Sequence, residues 1–261
     1  MLPETIQSLV LDMDGVLWKA DSPIGDLPEI FARIAARGLS VAFATNNGSR
    51  TPDQYVERLA GFGVTIEPEQ VITASLALAS LLREALPPGA AVFAVGGDGL
   101  MVALHEQGYE LLPIEQASQA QAVVMGLDRQ ITYEKMSEAA LLVSSGVPFY
   151  ATNPDKTYPT PRGEIPGAGA WISVVQTATG RDPLFAGKPA PHMLELARLR
   201  LGTGKAQTLV VGDRLETDLA GGQAAGMPVA LVLSGVSDLQ AGRAWNPPVD
   251  LIARDLTELV G

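Results

Sequence analysis

The chain has 261 residues, 47% of them apolar, a formal charge of −11 and no cysteine. That length holds one large α/β domain or two smaller ones. The missing cysteines exclude disulfides, thiolate nucleophiles and cysteine metal sites, and the acidic balance, with no Lys/Arg cluster to offset it, argues against a nucleic-acid-binding surface. No run is long and apolar enough to span a bilayer, and residues 1–7 lack the basic start and apolar stretch of a secretory leader. A soluble cytoplasmic protein with no membrane partner is therefore expected.

The first predicted element is a buried strand, Ser8 to Asp12, which runs straight into Asp12-Met13-Asp14-Gly15. A loop through Trp18 and Pro23 leads to a helix over Pro28 to Arg37, with Ile30 and Ile34 on one face and Gly38 closing it. Leu39 to Thr45 is the second strand. Thr51-Pro52-Asp53-Gln54 has the composition of a helix start, with threonine capping and proline in the first turn. A strand at Val71–Thr73 and a helix at Leu76–Ala85 end in Pro87-Pro88-Gly89, which reads as a linker.

A second α/β set follows. It has strand Ala91–Val95, helix Leu100–Gln107, strand Ala122–Gly126, helix Thr132–Ser144 and strand Val147–Thr152. A Pro- and Gly-rich loop from Asn153 to Gly167 and a helix over Trp171–Ala178 complete it. From Leu184 the first pattern resumes, with a weak strand Leu184–Ala186, helix His192–Leu201, strand Thr208–Asp213, helix Leu215–Ala225, strand Val229–Leu233 and a last strand–helix pair over Leu251–Leu259. Strands that alternate with helices predict a doubly wound parallel sheet. The expected architecture is a discontinuous Rossmann-like α/β core, residues 1–80 and 183–261, with a smaller α/β domain, residues 81–182, inserted between.

Four loops at or near the ends of core strands hold the chemistry. They are Asp12 with Asp14, Thr45-Asn46-Asn47-Gly48, Lys188 in Gly187-Lys188-Pro189, and Asp213 with Asp218. In a doubly wound sheet these loops converge where ligands bind, beyond the carboxyl ends of the strands. Two carboxylates two residues apart repel each other unless a cation sits between them or one takes a proton. Each motif alone has a plainer reading, as a solvated turn, a surface lysine or a helix start; the ordered set sets those readings aside. Gly96-Gly97-Asp98-Gly99 lacks dinucleotide-loop spacing and reads as a turn. His105, His192, Trp18 and Trp171 read as structural.

The ordered set resembles the haloacid dehalogenase-like phosphohydrolases: D-x-D-G after the first strand, Thr or Ser after the second, a lysine, and G-D-x-x-x-x-D. The insert between the second and third motifs sits where that superfamily places its type-two cap. Thr45-Asn46-Asn47, Gly126-Leu127-Asp128, Ala151-Thr152-Asn153-Pro154-Asp155 and Thr177-Ala178-Thr179-Gly180-Arg181 resemble the NagD-like subgroup, the relatives of nitrophenyl phosphatase and pyridoxal phosphatase. The resemblance covers nearly the whole chain. It implies a phosphatase acting on small phosphorylated metabolites, with the insert serving as a lid that carries specificity.

With no thiol and no serine placed beside a histidine, a carboxylate is the natural nucleophile. Asp12 is expected to form an aspartyl-phosphate, and Asp14 to protonate the leaving alcohol and then deprotonate the attacking water. A hard divalent cation, Mg²⁺, would be held by Asp12 and Asp213, and the family pattern adds the backbone carbonyl of Asp14. Asp218 would orient Lys188 or a metal-bound water. Lys188 would offset charge on the phosphoryl oxygens, with Thr45, Asn46 and Asn47 holding them. The resemblance places Tyr158 against the substrate.

Three alternatives stay open from the residues: a phospho-acceptor regulatory module, a phosphomutase, and a dehalogenase, against which the second carboxylate counts. A homodimer through an exposed sheet edge of the insert is compatible with the sequence.

Overall fold

A computed structural model describes residues 2–160 and 162–261. Contacts divide the chain into two units. The first comprises residues up to Thr45, Pro52–Ile72 and Lys188–Gly261, and the second Asn46–Thr51 and Thr73–Gly187. The second unit therefore takes in all of the helix that the sequence reading divided at residue 80.

The first unit starts with β1 (Ser8–Leu11), buried at every position because it lies inside a sheet covered on both faces. A two-stranded hairpin follows, β2 (Trp18–Lys19) with β3 (Ser22–Pro23), in what the sequence offered only as a loop. Helix α1 (Leu27–Ala36) begins where the Asp26 carboxylate accepts the Glu29 amide, and it buries Leu27, Ile30 and Ile34. Gly38, at φ +68°, ends that turn as the sequence predicts. Next come β4 (Ser40–Thr45), α2 (Pro52–Gly61) and β5 (Val71–Thr73).

The second unit continues with α3 (Ala74–Ala85), β6 (Ala91–Val95), α4 (Asp98–Glu106), β7 (Glu110–Leu111), β8 (Ala122–Met125), α5 (Tyr133–Ser145) and β9 (Phe149–Ala151). The hairpin β10 (Thr157–Thr160) with β11 (Gly163–Pro166) occupies the stretch read as an irregular loop. Helix α6 (Ala168–Thr179) and strand β12 (Leu184–Phe185) close the unit. Its five-stranded sheet runs β12-β9-β8-β6-β7, around a core of Phe93, Val95, Val123, Met125, Leu142, Val143 and Ile172 among others.

Strand β12 corrects the sequence reading. Leu184–Phe185 pairs in parallel with Tyr150–Ala151 of the insert, so the core pattern does not resume there. Two residues carry no periodicity, and only the ladder decides which sheet they join.

The chain returns to the first unit with α7 (His192–Leu201) and β13 (Thr208–Gly212). The predicted helix over Leu215–Ala225 is a π-helical turn, Leu215–Leu219, running into α8 (Ala220–Ala224). Then come β14 (Val229–Val232), α9 (Leu239–Ala244), β15 (Leu251–Ala253) and α10 (Leu256–Val260).

The six-stranded sheet has the order β15-β14-β13-β1-β4-β5. β1 pairs in parallel with β4 on one side and β13 on the other, so strand order reverses direction between β1 and β13. That reversal is the topological switch point, where open α/β sheets form their ligand crevice. Leu9, Leu11, Ile30, Phe43, Leu209, Val211 and Leu256 are part of the core around it.

Candidate active site

Asp12 and Asp213 leave adjacent strands at the switch point. The β1 ladder extends one step further, the Asp12 amide donating to the Val211 carbonyl at 2.9 Å, so the carboxylate emerges at the strand's carboxyl end. Asp213 follows β13 directly. Its Oδ2 accepts the Val236 amide at 2.8 Å, and its carbonyl accepts the Ser237 amide at 3.0 Å. Two glycine backbones close on this carboxylate: a Cβ on Gly15 would lie 2.4 Å from Asp213 Oδ2, and one on Gly235 only 1.9 Å away. Any side chain at either position would displace Asp213.

Lys188 joins the set across the sheet. Its Nζ lies 2.6 Å from Asp12 Oδ1, 2.6 Å from Asp218 Oδ1 and 2.7 Å from the Ala44 carbonyl of β4. An ammonium has three N–H donors, and three oxygens receive them. Thr45, also buried, follows Ala44 at the end of β4. Asp218 is fixed at both oxygens, by Lys188 and by the Arg214 amide at 3.0 Å. The π turn carries it, and an extra residue per turn is a common device for aiming a side chain into a site.

Charge does not balance in this cluster. Carboxylate oxygens of Asp12, Asp213 and Asp218 lie within 4.8 Å of one another, facing one ammonium. At that separation each ionised pair repels by about 3 kcal/mol in a protein-like dielectric. Burial pushes the Asp12 carboxyl well above its ordinary range; Lys188 opposes that, while Asp218 and Asp213 add to it. Burial and then Asp218 raise Asp213 to about 6, against the pull of the Val236 amide and Arg214. Burial alone would lower Lys188, but Asp12 and Asp218 outweigh it, and the ammonium is held charged. Hard carboxylate oxygens with excess buried negative charge fit a divalent cation of the Mg²⁺ type.

This arrangement predicts how stability depends on pH. Asp213 has a folded pKa above its unfolded value, so the folded protein binds the extra proton between about pH 4 and pH 6. Without metal, this group's contribution falls as pH rises through that window, by at most about 3 kcal/mol. A divalent cation held by these carboxylates would bind their ionised form, so the stabilising effect of added Mg²⁺ should grow across the same window and level off above it. Thermal unfolding with and without Mg²⁺ between pH 5 and pH 7 checks this; an equal shift at both ends contradicts it.

Asp14 is exposed, and its Oδ1 accepts the Trp18 indole N–H at 2.8 Å. The remaining expected residues lie in the second unit. Asn46 Nδ2 and Asn153 Nδ2 both donate to Asp155 Oδ2, at 3.1 and 2.9 Å. Asn47 Oδ1 accepts from the Ser49 amide and hydroxyl, and its Nδ2 lies 3.5 Å from the Tyr158 hydroxyl. The Arg129 guanidinium carbon is 5.8 Å from the centre of the Tyr158 ring. The first unit thus gathers Asp12, Asp14, Thr45, Lys188, Asp213 and Asp218. The second gathers Asn46, Asn47 and Tyr158 around the loop that continues from Thr45.

Sequence reasoning missed the Ala44 carbonyl, the Gly235–Val236 backbone on Asp213, and the Trp18 bond to Asp14. The turn composition Ser234-Gly235-Val236-Ser237 after a strand was the one available signal for the second of these.

Comparison with known proteins agrees with this geometry. Residues 9–110 match the family described as haloacid dehalogenase-like hydrolase, and residues 185–259 a HAD-hydrolase-like family. An acid sugar phosphatase from Staphylococcus aureus is 37% identical over 254 residues, covering 97% of this chain and 96% of the relative. A glycerol phosphate phosphatase from Mycobacterium tuberculosis, solved in complex with magnesium, superposes with a TM-score of 0.91 at 35% identity, over 99% of this chain and 78% of that one. NagD from Escherichia coli K-12 gives a TM-score of 0.88 at 30% identity, over 97% and 98% of the two chains. Among the described residues no helix is long and apolar enough to cross a membrane.

Proposed function

This chain belongs to the haloacid dehalogenase-like hydrolases, as a NagD-like phosphatase, and on that footing we propose that it hydrolyses small phosphorylated metabolites by way of a phosphorylated Asp12. Sugar phosphates and glycerol phosphates lead the candidates, because relatives carry those names. The observation that carries the reading is the Lys188 ammonium bridging Asp12 and Asp218 at 2.6 Å each, with Asp213 in the same cluster.

In this reading the Asp12 carboxylate attacks phosphorus as the bond to the leaving oxygen breaks. Asp14 gives that oxygen its proton, then takes one from the water that hydrolyses the acyl phosphate. Lys188, pinned by Asp218 and the Ala44 carbonyl, sets a fixed positive charge beside the nucleophile, where phosphoryl oxygens gather charge. Thr45, buried at the end of β4, would supply a further hydroxyl donor. Asp12, Asp213 and the Asp14 carbonyl would hold Mg²⁺, which when bound withdraws charge from a phosphoryl oxygen. Asp218 serves Lys188 in this scheme. Choice of leaving group is assigned to the second unit, where Tyr158 and Asn47 meet beside Arg129.

Phosphate release over a panel of metabolites, with and without Mg²⁺, tests the reading. Multiple turnover that EDTA abolishes is the expected result; activity that survives EDTA, or a single stable phosphorylation, contradicts it. Asp14→Asn refines the test. On kcat/KM, which ends with departure of the alcohol and so excludes the hydrolytic step, it should cost roughly 10²-fold or more with an alkyl phosphate, and much less with p-nitrophenyl phosphate, whose leaving group needs little protonation. Equal losses on both would remove Asp14 from the acid role.

A further inference from the structure

We propose that Trp18 is a positioning residue for Asp14, and that Arg58 clamps the hairpin that carries it. The inference rests on the phosphatase reading above.

The backbone around Asp14 is tightly fixed. Gly15, at φ +85°, is pressed against Asp213, and its carbonyl accepts the Ser234 hydroxyl at 2.6 Å. The Gly15 amide donates to the Trp18 carbonyl at 2.7 Å, and the Leu17 amide to the Met13 carbonyl at 2.8 Å. A fixed backbone still leaves an exposed aspartate several staggered rotamers. One contact among the described residues selects between them: Trp18 Nε1 donating to Asp14 Oδ1 at 2.8 Å. Oδ2 then remains for the leaving-group oxygen.

The donor itself is held in a built environment. Trp18 is 0% exposed. Its ring stacks on Tyr55 at 6.4 Å between centroids and meets Phe62 at 6.0 Å. A buried indole N–H requires a hydrogen-bond partner, and here that partner is the carboxylate that moves the proton. The Arg58 guanidinium carbon lies 4.2 Å above the indole ring. The same guanidinium donates to the Ala20 carbonyl and lies 3.8 Å from the Asp21 carboxylate. Ala20 has φ +52°, a left-handed conformation that costs a residue with a Cβ about 1 kcal/mol. Arg58 of α2 therefore secures the hairpin at both its ring and its strained tip.

In the step this serves, the P–O bond to the leaving group breaks while the Asp12 oxygen bonds to phosphorus. The proton on Asp14 passes to the departing oxygen, and Asp14 is left as a carboxylate still bonded to the indole N–H. Losing that bond should therefore slow formation of the aspartyl-phosphate only where the leaving group needs the proton.

The test compares glycerol 3-phosphate with p-nitrophenyl phosphate in the parent, Trp18→Phe, Asp14→Asn and the double variant, with Mg²⁺ present. Trp18→Phe keeps an aromatic ring and removes the donor. It should lower kcat/KM on the alkyl ester about tenfold or more, change nitrophenyl kcat/KM by less than about threefold, and add nothing further in the Asp14→Asn background. Equal losses on the two substrates in a folded variant, or a full additional loss in the double variant, overturn the proposal. If Trp18→Phe does not fold, Arg58→Met, which leaves the indole in place, carries the test. A drop in the alkyl-to-nitrophenyl ratio of at least about threefold supports the clamp, and an unchanged ratio overturns it. A parent that releases phosphate from neither substrate, nor from any in the panel, overturns the phosphatase reading and this inference together. A parent active on both, with no selective loss in the variants, overturns this inference alone.

Discussion

Asp12→Asn is expected to lower turnover by more than about 10³-fold on every phosphate monoester the protein accepts. An amide oxygen is too weak a nucleophile to attack phosphorus, and no thiol exists in the chain to replace it. Stability should move the other way. Asp12 is held above its ordinary pKa by burial and by Asp218 and Asp213, so its charge opposes folding in the metal-free protein. The asparagine removes that charge, and its carbonyl oxygen can still accept from Lys188. The expected signature is thus lost catalysis without lost stability, read by steady-state kinetics and by unfolding in the presence of EDTA. Turnover within tenfold of the parent would take the nucleophile's role from Asp12.

Lys188→Met should have the largest effect on stability. The side chain is 3% exposed, and its ammonium is the positive charge placed among the three clustered carboxylates. Removing one partner of a buried ion pair typically costs about 3–5 kcal/mol, because the other is left uncompensated. Here two partners lose it, Asp12 and Asp218, and the Ala44 carbonyl loses a donor. Mg²⁺ should restore part of the loss, and lowering the pH toward 5 should restore part as well, since protonated carboxyls no longer repel. Turnover should fall by roughly 10²-fold or more, through lost stabilisation of the phosphoryl oxygens. Denaturant unfolding at pH 7 and pH 5, with and without Mg²⁺, checks the stability claim; a loss below about 1 kcal/mol at pH 7 without metal would contradict it.

The strands that carry the chemistry were legible in the sequence because each is a short apolar run ending in a polar cluster. Ser8–Leu11 and Thr208–Gly212 are buried at every position, and Asp12 and Asp213 follow them directly. Gly38, at positive φ, announced a helix end. Less legible was anything decided by distant partners. Lys188 meets Asp12 across 176 residues, and only the ordered motif set pointed to that meeting. Leu184–Phe185 is too short to reveal its sheet, and the π turn under Asp218 differs from an α turn by one residue's hydrogen bonding. Trp18 read as packing, which its burial supports; its second role needed the direction of one N–H. Asn46 and Asn47 were read as phosphate holders from their place after Thr45. Their side-chain amides reach Asp155 and Tyr158, residues that sequence order keeps more than a hundred positions away.

The account depends most on a covalent phosphoryl group at Asp12, and trapping it is the direct measurement. Asp14→Asn, slowed in the hydrolytic half of the reaction, would be mixed with a good substrate and Mg²⁺, quenched in acid and reduced with borohydride, which converts an acyl phosphate at an aspartate to homoserine. Peptide mass spectrometry should find homoserine at position 12, dependent on substrate and absent when Mg²⁺ is withheld. Unmodified Asp12 in enzyme that turns over under those conditions, or a label at any other carboxylate, would contradict the account.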